Sequence, residues 1–242
     1  MAYYPVNLDV TGKQCLVVGA GSVGTRKIAG LLACDAMVSV VSITASPRVR
    51  SLANDGVIIY HERAYGEDDL KNVFLVIGAT DNNVLNRQIY EDACKRQLLC
   101  NIADQPALCN FILPAVVRQG DLVIAVSTSG KSPALAKRLR RELEAAYGRE
   151  YAVFLKLMGA ARKKLLAGDH APEEHKPLFN ALIDGGFLEM IRDGRFREMD
   201  ALLVNVFGTG YDRKSLLAAS EKQVYKSSCP GKGRKKRTSN TQ

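Results

Sequence analysis

Residues 14 to 24 read Gln-Cys-Leu-Val-Val-Gly-Ala-Gly-Ser-Val-Gly, a short apolar run that passes directly into Gly-x-Gly-x-x-Gly. The apolar run predicts a buried strand, Gln14–Val18, and a helix-compatible segment, Thr25–Leu32, follows the glycines. Each glycine has its own physical task. Gly19 permits a tight turn off the strand, Gly21 lets a pyrophosphate approach the backbone, and Gly24 lets the helix pack closely on the sheet. Phosphate oxygens would meet the free N–H groups and positive end of that helix. The stretch therefore predicts a dinucleotide site on a layered α/β scaffold.

The next 80 residues repeat the alternation. Strand signals at Met37–Ile43, Val57–His61, Val73–Ala79 and Leu98–Ile102 are separated by helical segments at Pro47–Asn54 and Asn83–Arg96, the latter with Val84, Ile89 and Ala93 read as one side. Strands alternating with helices imply a parallel sheet covered on both faces, with the ligand at the carboxyl ends of the strands. Polar residues gather there, Thr80-Asp81 after one strand and Asn101-Ile102-Ala103-Asp104 after another. Asp81 is either a helix cap or a site residue, whereas Asp104, followed by Gln105-Pro106, reads as a turn residue at the mouth of the cleft. An NAD site usually offers a carboxylate after the second strand, and here that strand ends in Ile43-Thr44 without one. Arg48 follows, either as a solvated loop charge or as a partner for a 2′-phosphate, so this feature leaves NADP open.

The pattern changes at Phe111–Val117. A strand signal, Asp121–Ser127, leads through Thr128-Ser129-Gly130-Lys131-Ser132-Pro133 into a helical segment, Ala134–Tyr147. Ser132 is placed to cap that helix, with Pro133 at its first position. The preceding hydroxyls, amides and lysine make an anion site, although the spacing of a Walker A loop is absent. Beyond Tyr151 the chain reads as helical, with a basic face on Val153–Leu166 (Lys156, Arg162, Lys163, Lys164), short pieces at Pro177–Leu182 and Phe187–Ile191, and a helix at Arg195–Phe207. His170 and His175 are expected in a solvated loop around Pro172, and no metal-ligating cluster is expected: the cysteines at 15, 34, 94, 100, 109 and 229 show no zinc spacing. Cys15 and Cys34 are expected as core residues.

Composition constrains the partners. The net charge of +9 is concentrated after Glu221, where seven basic residues stand without an acidic one, which leaves 27 Lys+Arg against 25 Asp+Glu in the body. The tail, residues 221–242, reads as a disordered solubilising appendage, so nucleic acid is not the expected partner. No apolar run approaches the roughly 18 residues of a membrane helix. The opening Met-Ala-Tyr-Tyr-Pro-Val has neither a basic nor an apolar signal region, so a cytoplasmic protein is expected.

Together these pieces resemble one family, the precorrin-2 dehydrogenase/sirohydrochlorin ferrochelatases that form the first module of sirohaem synthases. The resemblance runs through Tyr4-Pro5-Val6-Asn7-Leu8, Val17 to Lys27, Ala79-Thr80-Asp81, Asn101 to Pro106, Cys109 to Ala115, and Ser127 to Ala136, in the family's order. It implies NAD-dependent oxidation of precorrin-2 to sirohydrochlorin and, in some members, insertion of ferrous iron. Carried over, Ser22, Val23, Ile43 and Thr44 join Gly19, Gly21, Gly24, Thr80 and Asp81 around NAD, and Asp104 is the catalytic acid/base. Asn101 and Ser127, Thr128, Ser129, Gly130, Lys131 and Ser132 would hold the carboxylate-rich macrocycle. The implied architecture is a Rossmann-like sheet over 1–112, an α/β dimerisation region over 113–149 and a helical domain over 150–220. The competing reading is a non-catalytic NAD-sensing Rossmann module, which would leave Asp104 and the Ser-rich loop without a role.

Overall fold

The computed structural model describes residues 3–167 and 172–218. Five parallel strands, β1 (Gln14–Ala20), β2 (Met37–Ala45), β3 (Ile59–His61), β4 (Leu75–Gly78) and β5 (Leu99–Ile102), form one sheet in the order β3-β2-β1-β4-β5. Strand order reverses between β1 and β4, which pair Val17 with Ile77 and Val18 with Gly78. Side chains alternate across a strand, so β1 feeds two cores. Cys15 and Val17 pack with Ile28 of α1 (Ser22–Leu32) and with Val49 and Leu52 of α2 (Pro47–Asn54). Leu16 and Val18 pack on the other face with Leu70 and with Ile89 and Ala93 of α3 (Asn83–Lys95). A central strand buried on both faces explains its unbroken apolar run.

Several boundaries differ from the sequence reading for local reasons. α1 starts at Ser22 rather than Thr25, because Gly21 serves directly as its N-cap. β3 starts at Ile59, since the amides of Val57 and Ile58 donate to the Leu52 carbonyl at the end of α2. Arg48 lies exposed in the first turn of α2, not in a loop. Val84 is 81% exposed. Five residues of helix, about 500° of rotation, separate it from Ile89, so the two cannot share a face; Asn86, Ile89 and Ala93 form the buried side.

A second, antiparallel sheet pairs β6 (Ala115–Gln119), a strand beyond those expected above, with β7 (Leu122–Val126). The two-residue connection puts Gly120 first, at φ +59, a hairpin signal that Gly120-Asp121 between two β-compatible runs already carries. The helices α4 (Pro133–Ala146), α5 (Glu150–Leu166), α6 (Pro172–Asp184), α7 (Phe187–Arg192) and α8 (Phe196–Phe207) follow. Phe154, Leu157, Leu182, Phe187, Met199 and Leu203 form the centre of the helical core. α6 runs through Pro177 instead of starting there, and His175 is a buried helical residue rather than a loop one. His170 and the tail from 221 lie outside the described residues.

The chain divides into two compact units: residues up to Pro114 together with Ser127–Pro133, and Ala115–Val126 together with the chain from Ala134 on. The expected border at 112 falls two residues from this division, whereas the expected 113–149 region is shared between the units. Among the described residues no helix is long and apolar enough to cross a membrane.

Candidate functional site

The glycine turn is built by exclusion. A Cβ on Gly19, whose φ is +101, would strike the Ala79 carbonyl of the neighbouring β4 end, and one on Gly24 would strike the Gly19 carbonyl. Gly21 faces open space, where a Cβ would meet nothing within 4 Å. The N-terminus of α1 is also left uncapped: Gly21 offers no side chain, and the first turn holds no acid. By contrast α2 is capped by Ser46 and α3 by Asn82. Free first-turn amides, an uncompensated positive helix end and an open approach at Gly21 fit a pyrophosphate.

Hydroxyls tie this turn to its neighbours. The Val49 amide donates to the Ser46 hydroxyl, Ser46 lies 2.9 Å from the Thr25 hydroxyl, and Thr25 donates to the Gly21 carbonyl at 2.8 Å. Only one ordering satisfies the whole chain of bonds, with Ser46 donating to Thr25. Ile43, 69% exposed, and Thr44 stand near the end of β2, which carries no acid of its own. After β4, the Thr80 hydroxyl donates to the Asn86 Oδ1 at 2.8 Å and the Asn86 amide returns to the Thr80 carbonyl at 2.9 Å. Asp81 is exposed and is not the cap of α3, since the Asn82 side chain accepts from Val84 and Leu85.

Asp104 lies exposed in the turn after β5 with φ +59, a left-handed conformation that Asp tolerates better than most residues. Its neighbours hold the turn. The buried Asn101 donates to the Phe111 carbonyl at 3.0 Å, and Ala103 N–H donates to the Gly78 carbonyl at 2.8 Å. The Cys109 sulfur accepts the Ile102 amide and lies 3.3 Å from both the Ile102 and Gln105 carbonyls. Burial pushes the Cys109 thiol up, so it stays protonated and serves as a hydrogen-bonding bridge. Asn101 thus supports the turn that carries Asp104, rather than projecting beyond it.

Lys27 of α1, given no separate role by the sequence reading, is partly buried and makes no hydrogen bond or ion pair among the described residues. Burial lowers its pKa, while Asp104 and Cys109, both within electrostatic reach, pull it back up. The glycine turn and the Asp104 turn therefore share one electrostatic environment. The signal was available: Lys27 stands three residues after Gly24 and one before the buried Ile28, on the sheet-facing side of α1.

The Ser-rich loop also shapes itself. Lys131 N–H donates to the Thr128 carbonyl across Ser129 (φ 52) and Gly130 (φ 78), a turn with both central residues left-handed. Ser127 and Thr128 hydroxyls accept the amides of Ser129 and Ser132. Ser129, Gly130 and Lys131 are exposed at its tip, and Ser132 is partly buried.

Two family models match this framework, one for NAD(P) binding over residues 6–115 and the sirohaem biosynthesis protein central model over residues 119–146. A solved structure of SirC, a precorrin-2 dehydrogenase, superposes with a TM-score of 0.69 at 26% identity, over 90% of this chain and 100% of that one. The chain therefore carries an NAD(P)-binding module followed by a sirohaem-biosynthesis central module, on a fold similar to that of a precorrin-2 dehydrogenase. Among curated relatives, the siroheme synthase of Ruthia magnifica subsp. Calyptogena magnifica is 34% identical over 83% of this chain and 43% of its own length. That of Nitrosococcus oceani is 35% identical over 78% of this chain and 45% of its own length. The chain spans less than half the length of these curated relatives.

Proposed function

We propose that this protein oxidises precorrin-2 to sirohydrochlorin with NAD, and that Asp104 is its acid/base. One observation carries the reading. An exposed carboxylate is held in a left-handed turn at the end of β5, in the same electrostatic field as a lysine one turn from the pyrophosphate glycines. NAD supplies the two-electron acceptor when bound. The chain supplies the rest: the α1 amides and Gly21 orient the pyrophosphate, Ile43 offers an apolar face beside the nucleotide, and Asp104 takes the proton that leaves the macrocycle as hydride departs.

The same carboxylate serves a second activity within this proposal. Inserting ferrous iron into sirohydrochlorin releases two pyrrole N–H protons, which need a base and no resident metal cage. The name siroheme synthase borne by the relatives supports this step. Ser129, Gly130 and Lys131 offer amides and a cation to the substrate's carboxylates, with Ser127, Thr128 and Ser132 shaping that loop. Thr80 and Asn101 act as positioning residues, since their side chains bond within the fold. Asp81 remains exposed toward the cofactor side of the strand ends.

Homodimerisation belongs to the same reading. A two-stranded ribbon is marginal by itself, and Val116 and Val123, on one face of β6–β7, are each 38% exposed. Cytoplasmic residence belongs to the same reading, with Cys15, Cys94, Cys100 and Cys109 as thiols outside any disulfide.

Replacing Asp104 by Asn tests the central claim. Precorrin-2 oxidation, followed as sirohydrochlorin absorbance, should fall by about 10²-fold or more, with NAD affinity within about twofold of wild type, because the isosteric change leaves the glycine turn untouched. Anaerobic ferrous iron uptake by sirohydrochlorin should fall in parallel. Full oxidation by the variant sinks the assignment of the base; NAD binding without turnover of tetrapyrrole by the wild type favours a sensing module instead.

A further inference from the structure

Beside the Asp104 turn, a hollow of about 480 Å³ opens at the start of α3, lined by Asn83, Val84, Arg87 and Gln105. Its walls come from two elements that β4 and β5 bring to the same end of the sheet: the first turn of α3, and the residue next in the chain to Asp104. The Gln105 amide donates to the Asn83 Oδ1 at 2.7 Å, which bridges the two walls and leaves the Asn83 amide N–H groups for other partners. Val84, on the same helix, is 81% exposed. Arg87 follows one turn later, exposed, and makes no hydrogen bond or ion pair among the described residues.

Among the described arginines of the first unit, Arg26, Arg48 and Arg87 carry no ion pair, and of these Arg87 lines the hollow. Arg50 and Arg63 are paired with Glu62 and Asp69, and Arg96 with Glu67. Arg87 has no such acid, although it sits in a concave, partly apolar recess. A guanidinium fork without a partner, an amide held by its neighbour and an uncovered valine form a site for a carboxylate borne on an apolar skeleton. The positive end of α3 adds to the same preference, although Asn82 already satisfies two of its amides.

We propose that this hollow is a carboxylate subsite in which Arg87 pairs with a peripheral carboxylate of the macrocycle, while Val84 contacts the ring edge and Asn83 donates a hydrogen bond. The proposal rests on the reading of Asp104 given above and deepens it. Anchoring one acidic side chain next to Asp104 sets which ring position that carboxylate reaches. The hollow thus fixes the orientation of an almost flat, many-armed substrate, and an acidic arm at the right place becomes the feature the enzyme selects.

The test uses the full chain with Arg87→Ala and Arg87→Lys. Arg87→Ala should raise KM for precorrin-2 about tenfold or more, the equivalent of a lost charge-assisted bond, with kcat changed less than threefold and NAD affinity unchanged. Arg87→Lys should recover part of the loss, since a point charge replaces the fork. Thermal midpoints should match wild type, because Arg87 supports no other described residue. A readout free of turnover is sirohydrochlorin binding measured by fluorescence, alongside its octamethyl ester. Wild type and Arg87→Ala should differ for the acid and agree for the ester. Equal affinity of the two proteins for the acid overturns the subsite, whatever Asp104→Asn shows. If wild type binds sirohydrochlorin in an Arg87-dependent way but oxidises nothing, the subsite stands and the dehydrogenase reading fails. If wild type does not bind it, both fall.

Discussion

At the level of single residues, the glycine turn separates two requirements that a motif lumps together. Gly19 and Gly24 are required by the protein itself, because any side chain there enters a backbone carbonyl. A Cβ on Gly21 would meet nothing within 4 Å, and its φ of −75 is one that any residue adopts. Gly19→Ala should therefore unfold at a midpoint roughly 4–8 °C lower, the equivalent of about 2 kcal/mol of clash and left-handed strain. Gly21→Ala should melt like wild type and lose NAD affinity instead. Calorimetry paired with titration of NAD distinguishes the two, and equal thermal losses at both positions would refute the division. Asp104 carries strain of the same kind, a left-handed non-glycine residue kept in place by Asn101, Cys109 and the Ala103 amide. Its chemistry was legible in the sequence as an acid beyond a strand. The brace was not, since Asn101 read as a substrate ligand when its amide in fact turns inward to Phe111.

Among elements, the connection from β3 to β4 shows how charge secures a short crossover. No α-helix spans this connection; a single 3-10 turn, Glu67–Leu70, inserts Leu70 into the core. Asp69 anchors it, accepting both terminal nitrogens of Arg63 (2.9 and 2.5 Å) and the Gly66 amide at 2.9 Å. The bond from Arg63 holds the Asp69 carboxyl below its ordinary 3.8. A depressed folded-state pKa stabilises the protein above the unfolded value and ceases to do so as pH falls through the folded one. Asp69→Asn should consequently cost about 1 kcal/mol at pH 7, where the carboxylate interaction is present, and progressively less as pH falls below 3.8 toward pH 2. Urea unfolding at the two pH values checks this, and a penalty independent of pH would assign the loss to packing. The sequence legibly marked β1, β2, β4, β5, α2 and α3, because long apolar runs and capped starts are strong local signals. It missed β6, a strand of mixed Ala-Val-Val-Arg-Gln character whose partner lies across a two-residue turn. It also missed the reach of α6, where Pro177 sits inside the helix despite its usual boundary role. Tertiary context settled the second, whereas the first was carried locally by the Gly120-Asp121 turn.

For the whole molecule, the ribbon of β6 and β7 tests the dimer. Substituting Asp for Val116 and Val123 puts two charges on the half-exposed face and leaves the buried Val117 side intact. Light scattering should then give the mass of one chain where the proposed wild-type dimer should give two; an unchanged mass would place any contact elsewhere. The ribbon also interrupts the nucleotide-binding body, which leaves at Pro114 and recovers Ser127–Pro133 beyond the hairpin. That body cannot be cut free by shortening the chain at one end. A fragment stopped at Pro114 forfeits the Ser-Gly-Lys stretch that belongs to it, so any transplant into another protein must either bring the hairpin along or splice a new bridge across its base.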